Sequence, residues 1–138
     1  MKYLLTAAFA ATLIGGAAQA AGDAAKGAEV FNRCKTCHML EGGGETIVKG
    51  GKTGPNLYGV IGRVAGSQED FKRYGKSIEE LKAKGYVWTE EEIVHYLEDP
   101  SKFLSEQLGG RQRSNMAYKL ANADDRANVA AYLATFSK

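Results

Sequence analysis

The sequence predicts an all-α domain of about five helices. Apolar residues recur at helical spacing in three separate stretches, and helix-start signals stand ahead of them. No stretch alternates apolar and polar residues convincingly enough for a strand, and no internal repeat is visible. The third observation is Cys34-Lys35-Thr36-Cys37-His38, which gathers both cysteines and one of the two histidines into a single short run. Cys-x-x-Cys-His is the pattern for covalent c-type haem attachment. Two thiols one helical turn apart can each add to a haem vinyl group, and the histidine that follows is then held under the iron. One such haem supplies much of a core, so a chain this small can carry long loops between its helices.

Other readings of the cysteines fit less well. A zinc site needs four well-placed ligands, and the only other histidine, His95, lies far along the chain. A redox dithiol expects a βαβ setting that is not found. A disulfide closing so short a loop would add little stability.

The elements follow in order. Residues 1–20 read as a cleaved signal peptide: Lys2 gives a short positive region, Tyr3 to Ile14 is largely apolar, and Ala18-Gln19-Ala20 is a small-x-small cleavage site. An uncleaved membrane anchor is the alternative. Export suits covalent haem attachment, which in bacteria takes place outside the cytoplasm, and implies a periplasmic protein. Residues 21–138 then form a single domain. Asp23 caps a first helix running towards Cys34, with Gly27, Val30, Phe31 and Cys34 on one stripe. Gly27 costs about 1 kcal/mol against alanine in a helix interior, which a close helix crossing would justify. A glycine-rich loop covers Glu41 to Gly51. Ser77 with Glu80, and Thr89 with Glu92, read as capping boxes of two further helices, the first ending near Gly85. The second carries the stripe Ile93, Tyr96, Leu97 and Pro100. Asp99-Pro100 reads as N-cap and first residue of a fourth helix, stopped by Gly109-Gly110. Asn122 caps the last, whose stripe is Val129, Tyr132, Leu133 and Phe136.

Charge narrows the function less than the motif does. The formal net charge is +2, falling to +1 without Lys2, and two haem propionates would take it slightly below zero. Neither value marks a nucleic-acid binder. No segment after the first is long and apolar enough to span a bilayer. The charges are unevenly placed, however. Lys49, Lys52 and Arg63 occupy one stretch without acids, and Arg111, Arg113 and Lys119 another, whereas acids crowd residues 79–99. A functional basic face is one reading of that unevenness; the other is that loops and helix starts simply differ in composition, as first-turn acids should.

A haem iron held by His38 alone would be open to oxygen, nitric oxide or peroxide, so the sixth ligand decides the class of function. Met1 leaves with the signal peptide. Met39 adjoins His38 on the wrong side, and His95 lies off the apolar stripe of its helix. Met116, in Ser114-Asn115-Met116-Ala117-Tyr118, is the remaining candidate. A lone methionine is also common core filler, and the residues alone leave the two roles open.

Almost all of residues 21–138 resembles the class I cytochromes c, especially the cytochromes c2 of purple photosynthetic bacteria. Gly22-Asp23-Ala24-Ala25-Lys26-Gly27 with Phe31 is similar to the family's first helix, and the run from Thr53 to Arg63 to its signature loop. Trp88-Thr89-Glu90-Glu91, Tyr96 to Pro100, Asn115 to Leu120 and Ala130-Ala131-Tyr132-Leu133 match later blocks. The resemblance implies the class I cytochrome c fold, one covalent haem c, and Met116 as sixth ligand. It implies that Pro55 accepts a hydrogen bond from His38, and that Arg63, Tyr74 and Trp88 donate to the propionates. Tyr96 would reach the Met116 sulfur while Ser114 steadies the loop, and Gly27 and Tyr132 would mark a helix crossing. Lys35, Lys49, Lys52, Lys102 and Lys119 would surround the exposed haem edge as a partner-binding rim.

The function so implied is that of a soluble, monomeric periplasmic electron carrier, not an enzyme, since both axial positions are filled. Electrons would come from the cytochrome bc1 complex and pass to a photosynthetic reaction centre or a cytochrome oxidase. A haem peroxidase or gas-binding sensor with a labile methionine is the alternative. Two departures stand out: residues 39–52 and 101–113 form longer loops than in short members of the family, and position 118 is tyrosine where phenylalanine is commoner.

Overall fold

Helix-start chemistry sets the frame of the molecule. A computed structural model describes residues 21–137; the expected signal peptide, 1–20, lies outside the described residues. Asp23 opens α1 (Ala24–Val30), its carboxylate accepting from the Ala25 and Lys26 amides. A 3-10 turn, Phe31–Arg33, carries the chain into the cysteine motif. Helices α2 (Lys76–Ala83), α3 (Glu90–Glu98), α4 (Pro100–Leu108) and α5 (Ala123–Ala134) complete the helical set. Thr89 caps α3, Asp99 caps α4 with Pro100 in its first turn, and Asn122 caps α5.

The helices close around one core. Phe31, Leu81, Leu97, Leu104, Val129 and Leu133 are all buried in it. The helix α1 crosses α5 at Gly27, where an added Cβ would fall 2.0 Å from the Asn128 carbonyl oxygen and 2.7 Å from Tyr132 Cβ. Phe31 and Tyr132 meet edge to face beside that crossing, ring centroids 5.8 Å apart. The backbone amide of Asp23 donates to Asn128 Oδ1 at 2.7 Å, fastening the start of α1 to α5. Among the described residues, no helix is long and apolar enough to cross a membrane.

Three local expectations are corrected. The glycine-rich loop contains an antiparallel hairpin, β1 (Leu40–Gly42) with β2 (Glu45–Val48). Gly43 and Gly44 form its two-residue turn at φ +63° and +82°, the positive values a type I′ turn needs. Gly75, not Ser77, is the N-cap of α2, because the Ser77 hydroxyl is buried and donates instead to Gln112 Oε1 at 2.8 Å. At α3 only half of the capping box forms. Thr89 Oγ1 accepts from the Glu92 amide, but the Glu92 carboxylate turns to the Tyr86 hydroxyl.

Candidate haem-binding site

The residues from Cys34 to His38 form a helical turn, with the Cys37 and His38 amides both donating to the Cys34 carbonyl. This turn puts two free thiols and an imidazole in one place. Glycines then let the following loop lie directly on it. Gly51 donates to Lys35 O at 2.8 Å and Gly54 to Cys37 O at 2.9 Å. A Cβ on Gly54 would fall 2.3 Å from His38 Cε1, so the loop presses the imidazole itself. Pro55, next in line, brings its carbonyl within 2.7 Å of His38 Nδ1. A carbonyl can only accept, so the proton sits on Nδ1 and Nε2 keeps its lone pair. Burial holds the imidazole below its ordinary pKa, with the Pro55 bond acting in the opposite direction. The ring is therefore neutral and able to ligate a metal. Burial likewise pushes the Cys34 thiol up to about 11, so it stays protonated, whereas Cys37 is exposed.

The Met116 loop is built from hydroxyl contacts. Ser101 Oγ accepts from the Ser114 amide at 3.0 Å, and Ser114 Oγ accepts from the Met116 amide at 3.1 Å. The Tyr96 hydroxyl lies 2.9 Å from that same Ser114 Oγ. The Tyr96 phenol, expected at the Met116 sulfur, thus meets Ser114, the residue expected to steady the loop. The serine is the nearer strong partner for a phenol, since a thioether accepts only weakly. Burial raises the Tyr96 phenol, the Ser114 bond opposing. Met116 is half-buried against the core.

Arg63 and Trp88 are brought together by backbone pairing, and Tyr74 joins Arg63 through Gln68. The Gly62 amide donates to Trp88 O and the Trp88 amide to Arg63 O, at 2.7 and 2.9 Å, around a bridge between Val64 and Val87. Arg63 spends much of its donor capacity on the chain itself: Nη1 serves Tyr58 O and Gln68 Oε1, and Nη2 serves Asn56 O. That leaves Nε and one Nη2 proton for any further acceptor. The Tyr74 hydroxyl accepts from the Gln68 amide at 3.3 Å and keeps its own proton to give. Trp88 is only 7% exposed, and its indole N–H finds no acceptor among the described residues. Its ring packs on Tyr96 at 5.1 Å between centroids.

The five lysines differ in their engagement. Lys119 Nζ sits 2.5 Å from Asp99 Oδ2 and Lys102 Nζ 3.8 Å from Glu106 Oε1. Lys35 donates to Asn32 Oδ1 at 2.9 Å. Lys49 and Lys52 are exposed and meet no carboxylate among the described residues. Sequence reasoning passed over Arg126. It is buried, and its Nη1 donates at 2.8 Å to both Leu120 O and Ala121 O, just after the Met116 loop. The signal was present, since residues 126, 129, 130 and 133 share the inward stripe of α5.

A haem fits this donor set. Two free thiols one turn apart, a neutral imidazole with Nε2 open, a half-buried thioether and an indole donor with no hydrogen-bond partner among the described residues are what its vinyls, iron and propionates require. A bare metal centre does not fit: among the described residues, no cluster of three or more His, Cys, Asp or Glu side chains could hold an ion.

Known proteins similar to this chain are c-type cytochromes. The family model described as Cytochrome c matches residues 24–137. The chain is 52% identical over 140 residues to cytochrome c2 of Rhodobacter capsulatus, covering 100% of each. It is 49% identical over 117 residues to cytochrome c-550 of Paracoccus pantotrophus, covering 82% of this chain and 85% of the relative. Among solved structures, cytochrome c2 from R. capsulatus superposes with a TM-score of 0.77 at 53% identity, covering 83% of this chain and 97% of that one. Ferric cytochrome c-550 from Paracoccus versutus superposes with a TM-score of 0.78 at 47% identity, covering 85% and 99%.

Proposed function

This chain belongs to the cytochrome c family, and on that premise we propose that it is a soluble periplasmic electron carrier holding one haem c. Cys34 and Cys37 would attach the haem, with His38 and Met116 as axial ligands, in a domain of residues 21–138 freed from a signal peptide. The observation that carries the reading is the 2.7 Å contact between His38 Nδ1 and Pro55 O, which fixes the tautomer and ring plane and reserves Nε2 for a metal.

A bound haem supplies one reversible electron, its iron passing between ferric and ferrous. The chain's residues supply the conditions. Gly54 and Pro55 lock the imidazole, and a locked ligand has little to rearrange when the iron changes charge. The Met116 thioether, placed by the Ser114 contacts, favours the ferrous state and raises the potential. Trp88, Tyr74 and the remaining protons of Arg63 are the donors available to propionates, which would otherwise be costly charges near the core. With His38 and Met116 both holding the iron, no open site would remain for a substrate.

Electrons would arrive from the cytochrome bc1 complex and leave to a photosynthetic reaction centre or a cytochrome oxidase. Lys35, Lys49 and Lys52 are the rim lysines that no carboxylate among the described residues compensates, so they are the ones to steer an acidic partner surface.

Replacing Met116 by Ala tests the assignment. The variant keeps its haem, because the thiol tethers remain, but its redox midpoint falls and the ferrous form binds carbon monoxide. An unchanged midpoint with no carbon monoxide binding would remove Met116 from the iron. A wild-type protein that itself binds carbon monoxide readily would favour the gas-binding or peroxidase reading.

A further inference from the structure

We propose that Arg126 is a positioning residue for Met116, its buried guanidinium fixing the returning arm of the methionine loop. The proposal rests on the reading of Met116 as an axial ligand. Nη1 of Arg126 bridges two consecutive carbonyls, Leu120 O and Ala121 O, both at 2.8 Å. Nη2 lies 3.6 Å from Glu98 Oε2, at the end of α3. The loop's outgoing arm is held at Ser114 by Ser101 and Tyr96. Between these two anchors run residues 115–119, and Met116 is the one side chain among them that packs on the core. Asn115, Ala117, Tyr118 and Lys119 are exposed. The position of the thioether is therefore set by the anchors, not by packing of its neighbours.

The returning anchor has three parts of unequal strength. The Leu120 amide donates to Leu97 O at 2.8 Å, a neutral backbone bond. The Lys119–Asp99 pair is largely exposed, where such pairs contribute little. Arg126 alone is both buried and charged, and hydrogen bonds from an ionised donor are about twice as strong as neutral ones. Its forked geometry also matters, because one ammonium cannot hold two carbonyls as a planar guanidinium does.

The competing account is that Arg126 merely fills space between α5 and α3. Against it stands Nε, which is buried without a hydrogen-bond partner. An apolar side chain of similar volume would pack there without that cost. The bonds of its other nitrogens are what offset that unsatisfied donor.

The test uses haem-loaded protein carrying Arg126→Gln, Arg126→Lys or Val129→Ala. Val129 is a buried α5 residue, and its truncation lowers global stability without touching the loop carbonyls. The readouts are the methionine-to-iron band of the ferric form and the affinity of added imidazole, which competes with Met116 for the iron. Denaturant unfolding places the variants on a common stability scale. Arg126→Gln is expected to bind imidazole about tenfold more tightly than wild type, as loss of a charged anchor opens the loop. Arg126→Lys falls between the two, and Val129→Ala binds as wild type does. If Arg126→Gln binds imidazole no more tightly than Val129→Ala, the positioning role is overturned. Should Arg126→Gln fail to accumulate, Arg126→Lys decides, and an affinity equal to wild type overturns it. Absence of the methionine band from the wild type would instead overturn the ligand reading.

Discussion

Gly54 shows how much can depend on a missing methyl group. Its place for a Cβ lies 2.3 Å from the His38 ring, so Gly54→Ala must push the imidazole away from the Pro55 carbonyl. We expect haem to remain attached but the redox midpoint to shift and the ferric methionine band to weaken; spectra identical to wild type would show that the ring yields freely. Asp99 gives a second residue-scale prediction. Its carboxyl is held below the usual range first by Lys119 and then by the Lys102 amide it caps. A depressed carboxylate stabilises the fold above its unfolded pKa, about 3.9. That contribution is lost as pH falls through the lower folded value. Asp99→Asn keeps a capping oxygen but removes the ionised form, so its melting temperature should trail wild type near neutrality and converge with it in acid. A constant gap across the pH series would contradict this. The cysteine–histidine turn was legible in the sequence because its chemistry is local, three informative residues within five consecutive positions. Arg126 was not, since its partners are backbone carbonyls, which any residue supplies. Nor could the sequence rank Ser114 against the Met116 sulfur as partner for Tyr96, as both lie on the same loop.

At the scale of elements, capping side chains that hold the amides of their own helix were legible in the sequence, and the one that leaves its helix was not. Asp23, Thr89, Asp99 and Asn122 all accept from the amides of their own helices. Ser77 had the same local grammar, but Gln112 of a distant loop takes its hydroxyl. The hairpin was missed because β1 and β2 are too short for alternation to show, and Leu40 is their one buried side chain. Its Gly43-Gly44 turn was the available sign. The crossing of α1 and α5 yields the prediction for this scale. Gly27→Ala would gain about 1 kcal/mol in helix propensity. The new Cβ, however, meets the Asn128 carbonyl at 2.0 Å, and overpacking against backbone costs about 1–3 kcal/mol or more. The clash outweighs the propensity. Denaturant unfolding of the variant should show net destabilisation, and a stabilised Gly27→Ala would mean that the helices separate at little cost.

For the whole molecule, the charge that matters is the charge left over after internal pairing. Lys102 and Lys119 face carboxylates of the chain itself, whereas Lys49 and Lys52 do not. Reversing Lys49 and Lys52 to glutamate should cut the second-order rate of oxidation by an acidic partner at low salt. The difference should shrink as ionic strength rises and screening removes the steering. Stopped-flow oxidation across a salt series measures it, and equal rates at low salt would place the docking charge elsewhere. Lys119 is better left intact in that experiment, because its ammonium also holds Asp99. The clasp between Asp23 and Asn128, 105 positions apart in sequence, has a further consequence, in the timing of biosynthesis. Until α5 has docked, α1 lacks the helix that covers its Gly27 face, and joining ends so far apart is entropically slow. In that interval Cys34, which packs against the finished core, stays solvated, with its thiol near the ordinary pKa of about 8.5. Closure then carries it to about 11. A chain whose ends have not yet joined thus keeps a chemically receptive cysteine, and docking of the last helix ends that period.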